Sequence, residues 1–245
     1  MNWSKDFFNN ISKNFFIKST VEPDIIDFFK SLGVGHSTQV VEQCCGEGQL
    51  QIALAKHLGC KTLGLDQCSE YIKTAKILAK EAQVTSTFME YDILNGKCVG
   101  LSHFVINWNT SWGYFEDDSL NLKFLQNAYI NLRKNGTFVL EYYNSDFVIN
   151  NFEPLKVTKK EIDGNHYSCK RISHIERNCL ISTCIITDDN DNELFNSTGL
   201  TKMYSQQDIL SMLVAAGFKD IVCYADFNKS EASSNCPRLI FVSKK

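Results

Sequence analysis

Val40-Val41-Glu42-Gln43-Cys44-Cys45-Gly46-Glu47-Gly48 is the stretch on which the fold turns. A β-branched pair leads into an acidic residue, a tight turn of small residues follows, and Leu50, Ile52, Ala53, Leu54 and Ala55 continue with helical character. A strand that turns sharply into a helix brings backbone N–H groups close to a ligand, and glycine permits that approach. Asp66 gives the turn its meaning. It lies eighteen residues beyond Gly48 and ends a second apolar run, Lys61-Thr62-Leu63-Gly64-Leu65. An acidic residue ending the second strand of a β-α-β unit accepts hydrogen bonds from both hydroxyls of a ribose. Together the two features predict a site for a nucleoside-containing cofactor.

Glycine spacing distinguishes one cofactor from another. A dinucleotide fold seats its pyrophosphate with Gly-x-Gly-x-x-Gly. Here the pattern is Glu42-x-Cys44-x-Gly46-x-Gly48, and Gln51 stands where a third glycine would be. A nicotinamide dehydrogenase is disfavoured on that ground. The pattern resembles motif I of the class I S-adenosylmethionine-dependent methyltransferases, acidic-x-Gly-x-Gly-x-Gly, with Cys44 at the first glycine. Cysteine is compact and weakly polar, a tolerable substitute in such a turn. The resemblance implies an α/β, Rossmann-like sheet of seven mostly parallel strands, S-adenosyl-L-methionine as the methyl donor and S-adenosyl-L-homocysteine as the product. It implies cofactor contacts at Glu42, Cys44, Gly46, Gly48, Asp66 and Gln67. Asp92, closing the third strand, matches the family position that accepts from the adenine amine. Ile93 would pack on an adenine face, and Asn107, at the end of strand four, completes the cofactor set.

The bulk of the chain is consistent with one such domain. Its 245 residues are enough for an α/β unit with a sizeable core and an insertion. A composition 44% apolar and 22% charged is that of an ordinary globular protein. A net charge of -3 offers no footprint for a nucleic-acid backbone. No run approaches the roughly 18 apolar residues needed to span a bilayer, and the start, Met1 to Asp6, shows no signal-peptide pattern. The expected location is the cytoplasm. The expected partner is a small-molecule acceptor, without nucleic acid or membrane, for a monomer or homodimer. The 10 cysteines include no Cys-x-x-Cys pair, so reduced structural thiols are expected and no metal site.

Along the chain, residues 2–32 read as helical, with Trp3, Phe7, Phe8, Phe15 and Phe16 and a second helix after Pro23. Strands are expected at Val40–Glu42, Lys61–Leu65, Thr85–Tyr91, His103–Trp108 and Thr137–Tyr143. Helices are expected at Leu50–His57, after a Ser69 cap, and over Leu120–Leu132, the last ended by Asn135-Gly136. From Phe152 to Met203 the pattern alternates instead, with an Asp163-Gly164-Asn165 hairpin signal, predicting three or four antiparallel strands. Ser205-Gln206-Gln207-Asp208 is a capping-box pattern opening a helix closed by Gly217, and two strands follow near Ile221–Tyr224 and Leu239–Val242. One domain is expected: a helical lid over 1–32, a cofactor half over 33–145, the insertion over 146–204, and a C-terminal helix and strand pair over 205–245. Deleting residues 1–20 tests the lid.

The segment Asn107-Trp108-Asn109-Thr110-Ser111-Trp112-Gly113-Tyr114-Phe115 resembles the Ser-Phe-Gly-Tyr-Phe stretch of a bacterial branch that methylates small molecules. Lys202-Met203-Tyr204-Ser205 resembles that branch's Arg-x-Tyr-Ser, with lysine replacing arginine, and Cys236-Pro237-Arg238-Leu239-Ile240 its Ser-Pro-Arg-Leu-Ile. The insertion is similar in placement to that of glycine and aminosugar N-methyltransferases. The resemblance implies acceptor contacts at Trp112, Tyr114, Phe115, Lys202, Tyr204 and Arg238.

Methyl transfer is an in-line displacement, so holding the acceptor at near-attack distance supplies much of the rate. An amine needs only its lone pair and a nearby hydroxyl or carboxylate, and Tyr114 and Tyr204 are the candidate catalytic groups. A hydroxyl acceptor needs a base. None of the five histidines declares itself as one, so N and O acceptors both stay open. A protein or nucleic-acid methyltransferase is the alternative, disfavoured because Asn107-Trp108-Asn109-Thr110 lacks the Asn/Asp-Pro-Pro-Tyr turn. A non-catalytic homologue that keeps the cofactor is another.

Overall fold

The computed structural model describes residues 4, 7, 8, 21–96, 100–162 and 164–245. The helical reading of residues 2–20 therefore lies outside the described residues except at Ser4, Phe7 and Phe8, which are helical. Helix α1 (Pro23–Ser31) has proline in its first turn, where a missing N–H costs nothing, and buries Ile26, Phe28 and Phe29. Then strand and helix alternate: β1 (Gln39–Gln43), α2 (Gln49–Leu58), β2 (Lys61–Asp66), α3 (Ser69–Glu81) and β3 (Ser86–Glu90). A 3-10 turn (Ile93–Asn95), β4 (Ser102–Asn107), α4 (Asp118–Asn131) and β5 (Leu132–Tyr143) complete the first half. A short α5 (Ser145–Asn150) leads to four antiparallel strands, β6 (Leu155–Ile162), β7 (Asn165–Glu176), β8 (Cys179–Asp188) and β9 (Glu193–Lys202). The chain ends with α6 (Gln206–Ala215), β10 (Lys219–Tyr224) and β11 (Arg238–Lys244).

The seven-stranded sheet runs β3-β2-β1-β4-β5-β11-β10, with β11 antiparallel to both its neighbours. Strand order reverses between β1 and β4. Such a reversal opens a crevice beyond the carboxyl ends of the strands, and ligands bind there. Alternation along the central strands divides the core in two. Val105, Phe138, Leu140 and Phe241 face α4 and α6, while Phe104, Ile106, Val139 and Ile240 face α1 and α2. The antiparallel strands form a separate sheet, β6-β7-β8-β9, as the alternating pattern predicts.

One helix end lies where its local signal points and two others are displaced from theirs. The capping box at Ser205 is present in both directions, each partner bonding the other's backbone N–H. Ser69 is the first residue of α3 rather than its cap; Cys68 occupies the cap and Asp66 accepts the Cys68 N–H at 2.8 Å. The Asn135-Gly136 pair does not end α4, which stops at Asn131. It sits in a bulge of β5, where pairing jumps from Ser102↔Leu132 to Phe104↔Thr137, and Asn135 takes φ 60°. A turn signal and a bulge draw on the same left-handed backbone, which is why sequence confuses them.

Candidate active site

The β1–α2 turn is built by close approach. Cys45 N–H donates to Leu65 O at 3.0 Å and Gly48 N–H to Cys45 O at 2.9 Å, folding the loop back over β2. Gly48 caps α2 at φ 74°, and a Cβ there would lie 2.2 Å from Phe88 Cε1, so no other residue fits. Gly46 is different: at φ 54° its missing side chain would meet nothing within 4 Å. The room beside it is part of a cleft. Gly46 N–H donates to Asp66 Oδ2 at 2.9 Å, so the acidic end of β2 and the glycine turn hold one another.

These residues open onto two adjoining spaces at the carboxyl edge of the sheet. A recess of about 40 Å³ is lined by Asp92, Ile93, Leu94, Trp112 and Phe115. A cleft of about 820 Å³ takes in Glu42, Gly46, Asp66 and Tyr143 from the main sheet and its loops, and Arg171, Ser182 and Thr201 from the antiparallel sheet. Cys44, Gln67 and Tyr114 border both. The antiparallel sheet is thus a wall of the cleft. Phe7 and Phe8 stand between the two halves: Phe7 meets Phe195 edge-on at 5.3 Å, and Phe8 lies 6.2 Å from Tyr114.

Two buried carboxyls share the cleft. Burial raises the Glu42 pKa well above its ordinary 4.5, and the nearby Asp66 carboxylate adds to the rise. Glu42 Oε2 is buried with no hydrogen-bond partner among the described residues. Asp66 is also raised by burial, against the opposing pull of N–H bonds from Cys68, Gly46 and Gln67. A buried carboxylate left unpartnered, as Glu42 is, is relieved by a ligand carrying positive charge, while Asp66 already accepts backbone N–H bonds. S-adenosylmethionine carries two such charges, on its ammonium and its sulfonium.

The structure sorts the sequence-derived residues. Glu42, Cys44, Gly46, Asp66 and Gln67 line the cleft, and Asp92 and Ile93 line the recess beside it. Gly48 shapes the turn from behind. Asn107 sits under the floor, donating to Gln43 O at 3.3 Å with its Oδ1 unpartnered. Among the expected acceptor residues, Tyr114 alone borders the cleft. Trp112 and Phe115 belong to the recess; Trp112 is 1% exposed, donates to Asn121 O and stacks on Tyr204 at 4.8 Å. Tyr204, Lys202 and Arg238 lie outside both linings. The Tyr204 hydroxyl donates to Asp118 and accepts from Asn121, and Lys202 Nζ is 3.4 Å from Asp118 Oδ1. Arg238 pairs through two nitrogens with Glu141. These groups fasten the insertion and the β4 exit loop to the body.

Sequence reasoning missed Tyr71, Thr110, Tyr143, Arg171, Ser182 and Thr201 in the cleft wall. For Tyr143 a signal existed, since it ends β5 at the edge where open α/β sheets bind ligands. For Arg171, Ser182 and Thr201 the period-2 pattern gives two faces without saying which one looks inward. Tyr71 lies in the first turn of α3 and Thr110 in the loop after β4, where no strand pattern applies.

Cys44 adopts φ 58°, a left-handed conformation that costs a non-glycine residue about 1 kcal/mol. In Cys44→Gly that relief is offset by roughly 0.4–1 kcal/mol of extra unfolded-state entropy. The variant is expected to melt within a degree or two of the wild type and to bind cofactor with near-unchanged affinity, as calorimetry would read.

The family profile described as "Methyltransferase domain" matches residues 35–217. The chain belongs to this methyltransferase family, and its cofactor is S-adenosylmethionine, which the residues described above fit. Among solved structures it is similar to an S-adenosylmethionine-dependent methyltransferase from Clostridium acetobutylicum, at 14% identity over 91% of this chain and 92% of that one, TM-score 0.77. It is also similar to the CcbJ methyltransferase from Streptomyces caelestis, at 12% identity over 99% and 96%, TM-score 0.76. A third is the sugar N-methyltransferase KedS8 from a Streptoalloteichus species, at 16% identity over 86% and 81%, TM-score 0.67. At such identities the likeness concerns the fold. Among curated proteins none matches the sequence.

Proposed function

We propose that this methyltransferase acts on a nitrogen of a small-molecule amine. The observation that carries the reading is the lining of the cleft, where the phenols of Tyr114 and Tyr143 stand and, among the described residues, no histidine does. Burial pushes the pKa of both Tyr114 and Tyr143 above the ordinary tyrosine value. Both therefore stay protonated, fit to position a polar acceptor and unfit to remove its proton. Glu42 and Asp66 are engaged at the cofactor end. His166 and His174 are exposed on the antiparallel sheet, and His103 accepts the Gln39 N–H at the opposite end of the main sheet. A neutral amine needs no base to attack, because its lone pair is already free.

When bound, S-adenosylmethionine supplies an electrophilic methyl group, and transfer forms the N–C bond as the S–C bond breaks, its electron pair passing to sulfur and one proton leaving the product ammonium. The protein's part is to hold Gly46, Asp66 and the recess around the donor, to keep water out with Phe7 and Phe8, and to aim the acceptor from the opposite wall. Similarity in fold to KedS8, a sugar N-methyltransferase, supports the same choice.

Incubation with methyl-labelled S-adenosylmethionine and matched panels of amines and alcohols tests this reading. Label in amines alone is expected. Label in alcohols alone, in protein, RNA or DNA, or nowhere while cofactor is bound, would overturn it. The same reading places the protein in the cytoplasm as a monomer or homodimer, acting without nucleic acid or membrane. Support comes from the net charge of -3 and from free thiols at all the described cysteines. No helix among the described residues is long and apolar enough to cross a membrane.

A further inference from the structure

Lys202 and Arg238, the cations expected to meet the acceptor, are both spent on carboxylates of the protein itself, Asp118 and Glu141. Among the described residues lining the cleft the one cation is Arg171, on β7. It stands opposite Cys184 of β8 in register, one step along the same face from the Ser173–Ser182 hydroxyl pair at 2.8 Å. On β9, Thr201 belongs to the same wall, opposite Leu180. Arg171 itself is exposed and enters no hydrogen bond or ion pair with the described residues. The antiparallel sheet therefore turns a guanidinium and several hydroxyls toward the space between the two sheets. The opposite wall carries the buried carboxylates Glu42 and Asp66.

A cleft with one negative and one positive wall favours a ligand of matching polarity. The cofactor's positive charge answers Glu42 and its ribose hydroxyls answer Asp66. Arginine presents a planar fork that takes two oxygens of a carboxylate or phosphate at once, and an unpaired one in a binding cleft is the group best suited to an oxyanion. Fixing such a group on the antiparallel sheet would leave the far end of the acceptor at the carboxyl edge of the main sheet, where the methyl group is delivered. We propose that Arg171 binds an anionic oxygen group of the acceptor, so that the substrates are small amines that also carry a carboxylate or a phosphate. This rests on the methyl-transfer reading of the same cleft and narrows its substrate class.

The test uses the full chain as wild type, Arg171→Gln, Arg171→Lys and, as a neighbour on the other face of β7, Lys170→Gln. Each is titrated calorimetrically with succinate, inorganic phosphate and pyrophosphate, with and without saturating S-adenosylhomocysteine. At least one of the three anions is expected to bind the wild type, and which one tells carboxylate from phosphate. Arg171→Gln should weaken that binding by about tenfold or more, the loss of a charge-assisted pair. Arg171→Lys should fall between, Lys170→Gln should match the wild type, and S-adenosylhomocysteine affinity should be equal in all four. The proposal is overturned if no anion binds the wild type, or if Arg171→Gln binds it undiminished. It is equally overturned if the substitution costs cofactor affinity instead, because Arg171 would then serve the donor. A wild type that fails to bind S-adenosylhomocysteine overturns the methyl-transfer reading, while the cofactor-free titrations still report on Arg171.

Discussion

Asp66→Asn is expected to weaken S-adenosylmethionine binding by about 100-fold, the loss of two charge-assisted hydrogen bonds to a ribose at roughly 1.5 kcal/mol each. Asparagine keeps the shape and one acceptor oxygen, so the turn can retain either the Gly46 or the Cys68 N–H bond but not both. Isothermal titration of wild type and variant reads the difference. An affinity within threefold of wild type would show that the ribose is held elsewhere.

The same carboxylate makes the effect of pH run in two directions. Asp66 and Glu42 are both raised in the folded protein, so the folded state holds their protons more tightly than the unfolded chain does. Their contribution to stability therefore falls as pH rises through the folded values, and is regained on acidification down to their ordinary 4.5 and 3.8. Cofactor binding has the opposite sign, because the ribose and the ammonium want ionised partners. The rise in melting temperature given by S-adenosylhomocysteine should accordingly shrink as pH falls from neutral. In Asp66→Asn the shrinkage should be smaller. A cofactor shift that is constant or grows on acidification would contradict this account.

The cofactor half was legible because its chemistry is local. The β1–α2 turn, Asp66 ending β2 and Asp92 each lie within a few residues of a glycine or a strand end, where backbone geometry is set by the local sequence. Asp92 lies two residues past the end of β3 and caps the 3-10 turn rather than closing the strand. Trp112, Lys202, Tyr204 and Arg238 were legible as a motif and illegible in role. Whether a tyrosine or an arginine near the rim faces the ligand or braces the wall depends on partners remote in sequence: Asp118 for Tyr204, and Glu141, 97 residues away, for Arg238. Arg171 was missed for the converse reason. No motif surrounds it, and only the way the antiparallel sheet docks decides that its face looks into the cleft.

The Glu141–Arg238 pair carries the other large expectation. Glu141 is buried on β5, and besides the guanidinium of Arg238 on β11 it accepts the Asn109 N–H at 2.7 Å. Asn109 and Thr110 both hold positive φ, 54° and 53°, in the loop leaving β4, a strained pair that persists only if something fixes it. Arg238→Met would strand a buried charge. Complete burial of both partners would put that cost at about 3–5 kcal/mol, but Arg238 is 37% exposed, so about 2–3 kcal/mol is the expected loss. For a chain of this size that lowers the melting temperature by roughly 5–10 °C. The double variant Glu141→Leu/Arg238→Met leaves no charge unpaired and should recover most of that stability. It should not recover methyl transfer, because the Asn109 N–H has lost its acceptor and Thr110 and Ser111 are no longer held in the cleft wall. Melting curves and turnover on the same three proteins separate the two effects. If activity returned together with stability in the double variant, the pair would be a packing element only and the loop would need no clamp.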